Sequence, residues 1–305
     1  MKVIQFYDGS YNYINKENRI VSVDENFESV FNTTYSEIGV VRRFNGGYNF
    51  INSDGTILFP NEDFLNILKF FQGTYLVETK NEHFNIVTRY GKLLSNHDFL
   101  KIDANWSCNF LKVVRLNGLY NFIDTKGNIL SANEDFISAE DFYSGYAIVQ
   151  RRKSKLYNIL TSSGKLLLER DCKMIKFAFY TESSGDDWYN NSVAIALPNC
   201  YIALVLKENG LYNYVDKDGN FISDEDFLYA RVFHGSFAAV QRQNNLWNFI
   251  KLDVNSLSNS HGHNASIFVK SQDFDSVNDF CNSYALVYKV GDTSPFYLSY
   301  TGEIM

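Results

Sequence analysis

The chain has 305 residues, 45% of them hydrophobic and 16% aromatic, with only 3 Pro and 4 Cys. That much apolar and ringed side chain can bury a large core, which excludes a disordered, collagen-like or cysteine-stapled chain. Lys+Arg 28 against Asp+Glu 35 leaves a net charge of −7, a surface that repels phosphate backbones and anionic lipids, so neither nucleic-acid nor membrane binding is expected.

The first residues, Met1 to Asp8, hold no apolar h-region and read as a cytoplasmic start without a signal peptide. No apolar run approaches the ~18 residues of a membrane helix. From Tyr11 onward one phrase recurs: an aromatic ring, Asn, and two apolar residues. Its copies are Tyr11-Asn12-Tyr13-Ile14, Tyr48-Asn49-Phe50-Ile51, Phe84-Asn85-Ile86-Val87, Tyr120-Asn121-Phe122-Ile123, Tyr157-Asn158-Ile159-Leu160, Tyr212-Asn213-Tyr214-Val215 and Trp247-Asn248-Phe249-Ile250. The rings stand 37, 36, 36, 37, 55 and 35 residues apart, and Pro295-Phe296-Tyr297-Leu298 is an eroded eighth copy. Seven residues after the ring comes Gly55, Gly91, Gly127, Gly164, Gly219 or Gly302, with Asn18 and Val254 in the first and seventh copies. An acidic–aromatic pair follows: Asp63-Phe64, Asp98-Phe99, Asp135-Phe136, Asp226-Phe227, Asp273-Phe274.

The pieces read as strands. Tyr146-Ala147-Ile148-Val149 and Tyr120-Asn121-Phe122-Ile123 are short, β-branched and aromatic. Asn45-Gly46-Gly47, Asn117-Gly118 and Asn209-Gly210 signal tight hairpins, which need a positive φ. Asp124 to Gly127 and Asp216 to Gly219 close a second hairpin, a third strand follows (Asn128-Ile129-Leu130), and the acidic–aromatic pair adds a short fourth. Helical periodicity is missing, so helices are expected to be scarce. The expectation is an all-β chain of tandem ~36-residue antiparallel units in about eight copies. It forms a single repeat domain over 1–305, with insertions at about 180–199 and 255–266. The array is propeller-like, or alternatively an open β-superhelix. The rings Tyr11, Tyr48, Phe84, Tyr120, Tyr157, Tyr212 and Trp247 are expected to form the shared interior.

Tyr120-Asn121-Phe122-Ile123-Asp124-x-x-Gly127, followed by Phe142-x-Ser144-Gly145-Tyr146-Ala147-x-Val149, resembles the WG repeat of bacterial proteins. Tyr-Asn stands where that family has Trp-Gly; both Gly and Asn tolerate left-handed backbone. The resemblance implies a non-catalytic β-repeat platform that binds a partner and carries no catalytic residues.

Candidate binding residues lie in two rows. Arg43, Arg115, Arg152, Lys207 and Arg242 precede the ring by five, and Asp63, Asp98, Asp135, Asp171 and Asp226 follow it by fourteen or fifteen. The basic row either grips an anionic partner or neutralises the acidic row between units. Trp188 and Tyr189, in the insertion Tyr180 to Asn199, are candidate recognition anchors. The repeated Asn, including Asn49, Asn121 and Asn213, is read as structural, capping a bulge or bonding the backbone of the next unit. Asp216 to Asn220 and Asn52 to Gly55 echo calcium loops without the full ligand frame and read as hairpin turns. His261-Gly262-His263 reads as loop, and Cys108, Cys172, Cys200 and Cys281 as reduced, mostly buried fillers. The sequence contains no G-x-S-x-G, H-E-x-x-H, P-loop or G-x-G-x-x-G. The reading is therefore a non-enzymatic binding platform with no cofactor, whose partner is another protein. The alternatives are a carbohydrate-binding repeat or a structural component of a phage or secretion assembly.

Overall fold

The computed structural model describes residues 1–31, 38–69, 73–103, 107–178, 202–233, 236–252, 265–281 and 283–305. They form 24 β-strands and no α-helix. The chain divides into two compact units, Met1–Tyr143 and Ser144–Met305.

The first unit opens with a hairpin of Lys2–Gln5 and Tyr11–Ile14. Three antiparallel meanders follow: Ser29–Phe31, Gly39–Arg42, Tyr48–Ile51; then Asn66–Lys69, Tyr75–Glu78, Phe84–Val87; then Phe99–Ile102, Phe110–Arg115, Tyr120–Asp124. The second unit repeats the plan. A hairpin of Tyr146–Arg151 and Tyr157–Thr161 leads to Met174–Ala178, Ile202–Leu206, Tyr212–Val215, then to Tyr229–Ala230, Phe237–Gln241, Trp247–Leu252. Its last meander is Phe274–Val277, Tyr284–Lys289, Phe296–Ser299. The expected tandem all-β repeat is therefore present.

Its wiring differs from the expected three-to-four-strand unit. The third strand shrinks to one bridge in most copies, such as Ile51 with Ile57 and Ile123 with Ile129; the Trp247 copy alone among the described residues keeps it, as Ala265–Ile267. The acidic–aromatic pair does not add a fourth strand to its own unit. Its Phe bridges back to the ring residue, then starts the first strand of the next meander. Tyr48 and Phe64 exchange backbone hydrogen bonds of 2.9 and 2.8 Å, and Leu65 N already donates to Glu78 O in the following meander. Where Phe99 and Phe274 make this turn, Leu100 and Asp275 bulge out of the ladder. A bulge lets a strand leave one sheet and enter another.

The turns follow their residues. Gly46, Gly118 and Gly210 have φ of +83°, +78° and +87°, as the Asn-Gly signals require. The glycine seven residues after the ring has a further reason. A Cβ on Gly127 would lie 1.8 Å from the Leu94 carbonyl oxygen of the preceding copy, and one on Gly55 would lie 2.0 Å from Val21 O. At these positions only glycine lets the turn meet the preceding copy's backbone.

The core lies between copies within each compact unit. Alternation along the ring strand points its third residue one way and its fourth the other. Phe50 packs in one layer with Val87, the fourth residue of the next copy, and with Phe64, Tyr75 and Val77. Tyr13 shares a layer with Ile51, Ile86 with Ile123, Ile159 with Val215, Tyr214 with Ile250, and Phe249 with Leu298. In the eroded copy Tyr297 takes the third position and is 56% exposed, whereas Tyr13, Phe50, Phe122, Tyr214 and Phe249 are at most 1% exposed.

The leading rings depart from expectation. Tyr11, Tyr48, Phe84, Tyr120, Tyr157, Tyr212 and Trp247 are all half-buried, at the edges of these layers. They share a face with the third residue but sit at the strand's rim end, where the next copy covers them only in part. The cysteines also differ from expectation: Cys172 is buried, but Cys108 and Cys281 are exposed. Cys172 replaces the Phe of the acidic–aromatic pair and bridges to Tyr157, and burial pushes its thiol up to about 11.

Urea unfolding separates the two aromatic positions. Phe122→Ala is expected to lose about 3–5 kcal/mol as a buried-ring truncation, and Tyr120→Ala about 1–2 kcal/mol, since part of its surface stays in water. The reverse order would place the core on the leading rings.

Candidate binding surface

The surface is built from the hairpin turns that enter each ring strand. In five copies the turn delivers a basic residue, the ring strand supplies Asn, and the following corner supplies Asp. In the Tyr48 copy, Asn49 Nδ2 donates to Phe59 O at 2.7 Å, Glu62 O at 3.1 Å and Asp63 Oδ1 at 2.8 Å. Its Oδ1 accepts from Phe50 N at 2.8 Å and Phe59 N at 3.2 Å. Asn121 repeats this with Ser131 O, Glu134 O, Asp135 Oδ1, Phe122 N and Ser131 N. The amide thus closes its own copy's loop rather than bonding the backbone of the next unit. The phrase Asn also sits in extended strand, since the only Asn with positive φ among the described residues are Asn18, Asn109 and Asn245. Its side-chain amide, not left-handed backbone, is what the position requires.

Asp63 then accepts from Arg43 at 3.2 Å and Asn45 at 2.9 Å. Asp135 accepts from Arg115 at 3.1 Å and Asn117 at 2.7 Å, and Asp273 from Arg242 at 3.0 Å and Asn244 at 2.8 Å. Lys207 reaches Asp226 at 2.6 Å. In the Tyr157 copy the pairing residue is Arg151, 3.2 Å from Asp171; Arg152 is exposed. That turn is one residue longer, with Lys155 at φ +62°, and the basic residue moves back by one. The two rows therefore meet inside five of the copies, those of Tyr48, Tyr120, Tyr157, Tyr212 and Trp247. Some cations also reach the preceding copy: Arg43 lies 2.8 Å from Glu25 and Arg242 lies 2.9 Å from Glu225. Arg43, Arg115, Lys207 and Arg242 are thus half-buried and engaged in ion pairs.

Burial by itself would raise the pKa of Asp63, Asp135, Asp171 and Asp273. Hydrogen bonds from Asn49, Asn121, Asn158 and Asn248, with the paired Arg beside each, outweigh it and hold the carboxyls below the usual range. The calcium-like stretches are turns, as expected. Asp216 Oδ1 accepts from Asp218 N at 2.9 Å and Asn220 N at 2.8 Å, and Asn52 Oδ1 accepts from Asp54 N and Thr56 N. Among the described residues no three His, Cys, Asp or Glu come together to hold a metal. Trp188, Tyr189, His261 and His263 lie outside the described residues.

With its ion pairs closed, what this surface still offers is ring. Tyr229, 46% exposed, stands 5.5 Å from the Tyr212 ring and 5.9 Å from Trp247. The Arg231 guanidinium lies 5.1 Å over Trp247 and is tethered to Asp279 at 3.2 Å. Phe31 and Tyr48 make a smaller version at 6.0 Å, with Arg42 over Tyr48. Sequence reasoning missed these clusters because it assigned the leading rings to the interior. Counting in twos from buried Phe227 would place Tyr229 inward, whereas in the strand Tyr229–Ala230 it is Ala230 that is buried and Tyr229 that is exposed.

No family model matches the chain, and no curated protein matches it. The similar solved structures include the β-propeller domain of Myceliophteria thermophila Cps50 (Swd1), at 10% identity over 78% of this chain and 84% of that one, TM-score 0.28. They also include the C-terminal WD40 domain of Sif2, at 11% identity over 91% and 86%, TM-score 0.26. A third is Kluyveromyces lactis Hsv2p, at 9% identity over 88% and 92%, TM-score 0.29. Among the described residues no helix is long and apolar enough to cross a membrane.

The depressed carboxyls set an acid limit. Their folded pKa values lie below the unfolded ~3.9, so the stability they add is complete above about pH 5 and drains away as pH falls through the native values. Thermal melts are expected to be flat from pH 7 to about 5 and to fall steeply below about 4. Asp135→Asn is expected to melt lower at pH 7 and to lose part of that acid slope. A variant that melts like the parent at pH 7 would show that the Asn121–Asp135–Arg115 cluster is idle.

Proposed function

We propose that this chain is a non-enzymatic, cytoplasmic binding platform of the WG-repeat kind, whose partner is another protein. The observation that supports it is the Tyr212–Tyr229–Trp247 cluster, with Arg231 over its end. Half-exposed rings held rigid by strands, beside a tethered guanidinium, supply the Tyr, Trp and Arg contacts that dominate protein interfaces. The corner carboxylates Asp63, Asp135 and Asp273 are tied up in repeated Asn and Arg contacts. The insertion with Trp188 and Tyr189 is assigned to the same partner, as a loop grafted on a rigid frame. The same ring cluster favours a second reading, a glycan stacked on the aromatic faces.

Crosslinking with mass spectrometry on parent and Tyr229→Ser baits tests the assignment, with a glycan array run in parallel. The expected result is a protein crosslinked near Tyr229 whose recovery falls about tenfold in the variant, the loss of a ~1.4 kcal/mol contact, while the melt is unchanged. Equal recovery would remove this surface as the contact. A glycan signal abolished by the same change would transfer the site to the second reading.

A further inference from the structure

The Phe84 copy departs from the others at one side chain. Arg43, Arg115, Lys207 and Arg242 each occupy the first position of the hairpin turn, where the backbone N–H donates across the turn to Gly47, Leu119, Leu211 and Leu246. Thr79 holds the same position, its N–H donating to His83 O at 2.8 Å. The rest of the cluster is intact: Asn85 Nδ2 donates to Ser95 O, His97 O and Asp98 Oδ1, the last at 2.9 Å. Only the cation is missing.

Three observations distinguish this position from a tolerated substitution. Thr79 is 6% exposed, and its Oγ1 is buried with no hydrogen-bond partner, a condition that costs free energy and is rare in a settled core. Asp98 keeps its charge-bearing side chain, although among the described residues its one partner is Asn85. In the Tyr11 copy, by contrast, acid and base are absent together: Phe6 takes the turn position and Asn26 the acidic one, 2.9 Å from Asn12. The second carboxylate is also in place. Glu62 stands in its copy where Glu25 and Glu225 stand in theirs, and those two reach forward to Arg43 and Arg242 of the next copy. Glu62 and His97 are exposed and Asp98 is only partly buried, so the carboxylate side of the position opens to solvent. Lys80, the next residue, is exposed and makes no ion pair among the described residues.

We propose that the Thr79–Asp98–Glu62 position is a slot for an arginine side chain supplied by a partner protein. A guanidinium entering there would meet Asp98 and Glu62, the counterparts of the Asp and Glu pairs that hold Arg43 and Arg242, and would give the Thr79 hydroxyl a donor. Guanidinium suits it better than ammonium, because a planar fork can serve two carboxylates and an oxygen at once. The source of the arginine rests on the platform reading above, but the slot itself is tested without any partner.

The probe is N-acetyl-arginine amide, with N-acetyl-citrulline amide as its uncharged twin, titrated into the full chain carrying ¹³C-methyl threonine and ¹⁵N. The expected result is a saturable low-millimolar shift of the Thr79 methyl and the Asn85 side-chain amide with the arginine compound alone. The shift should vanish in Asp98→Asn. Thr79→Arg should abolish it and raise the Tm by about 1–2 °C, since the chain then fills its own slot. Equal shifts with both probes, no saturable shift, or a shift that survives in Asp98→Asn would each overturn the slot. If the slot binds but the Tyr229 experiment finds no protein, the slot stands and the platform reading falls.

Discussion

One buried amide per copy organises this fold. Asn12, Asn49, Asn85, Asn121, Asn158, Asn213 and Asn248 are each at most 2% exposed. Each gives its amide hydrogens to a carbonyl ten residues or more downstream and to the side chain at the corner, and takes the following residue's N–H on its oxygen. Serving both roles needs a short side chain with donors and an acceptor on one planar group, which among neutral side chains means Asn. Asp would face a second carboxylate, and Gly would leave the corner's polar groups unpaired. The clamp holds the corner at which the chain leaves one meander and bulges into the next, so it sets the angle at which successive sheets meet.

Because the clamp is local, the repeat tolerates insertion. In the Trp247 copy the clamped carbonyl is Val269 O, 21 residues beyond Asn248, yet the contact is 2.9 Å and Asp273 still lies 2.7 Å from the amide. Residues between the two contacts can lengthen without altering the layer in which Phe249 meets Leu298. The ion pairs add to the clamp rather than replace it. They are partly exposed, a class that contributes little individually, and the Tyr11 copy keeps its amide contacts without them. A platform built this way can vary its rim charges copy by copy while the backbone repeats, and the change from arginine to Thr79 lies within that freedom.

The period, the hairpin turns and the all-β class were legible because each depends on local chemistry: Asn-Gly at positive φ, alternation in short strands, and seven Asn in one register. What the sequence obscured depends on neighbours. Tyr120 and Phe122 look alike as residues, and only their packing makes one partly buried and the other 1% exposed. Counting five residues back from Tyr157 reached Arg152, because the extra residue of that turn is invisible until Arg151 is seen beside Asp171. The Asn reads from sequence as a structural residue that caps a bulge or bonds the next unit, and only the folded corner shows that its amide closes its own copy. The Tyr212–Tyr229–Trp247 cluster joins residues from different strands, so no single stretch displays it.

The amide clamp is tested most directly by urea unfolding of Asn121→Leu, which keeps the heavy-atom count and branching and removes all five hydrogen bonds. Stranding the Ser131 N–H and the corner acceptors should cost about 2–4 kcal/mol, with the loss confined to stability at an unchanged m-value. A variant within about 0.5 kcal/mol of the parent, the range of ordinary surface substitutions, would contradict the claim that this side chain holds the corner.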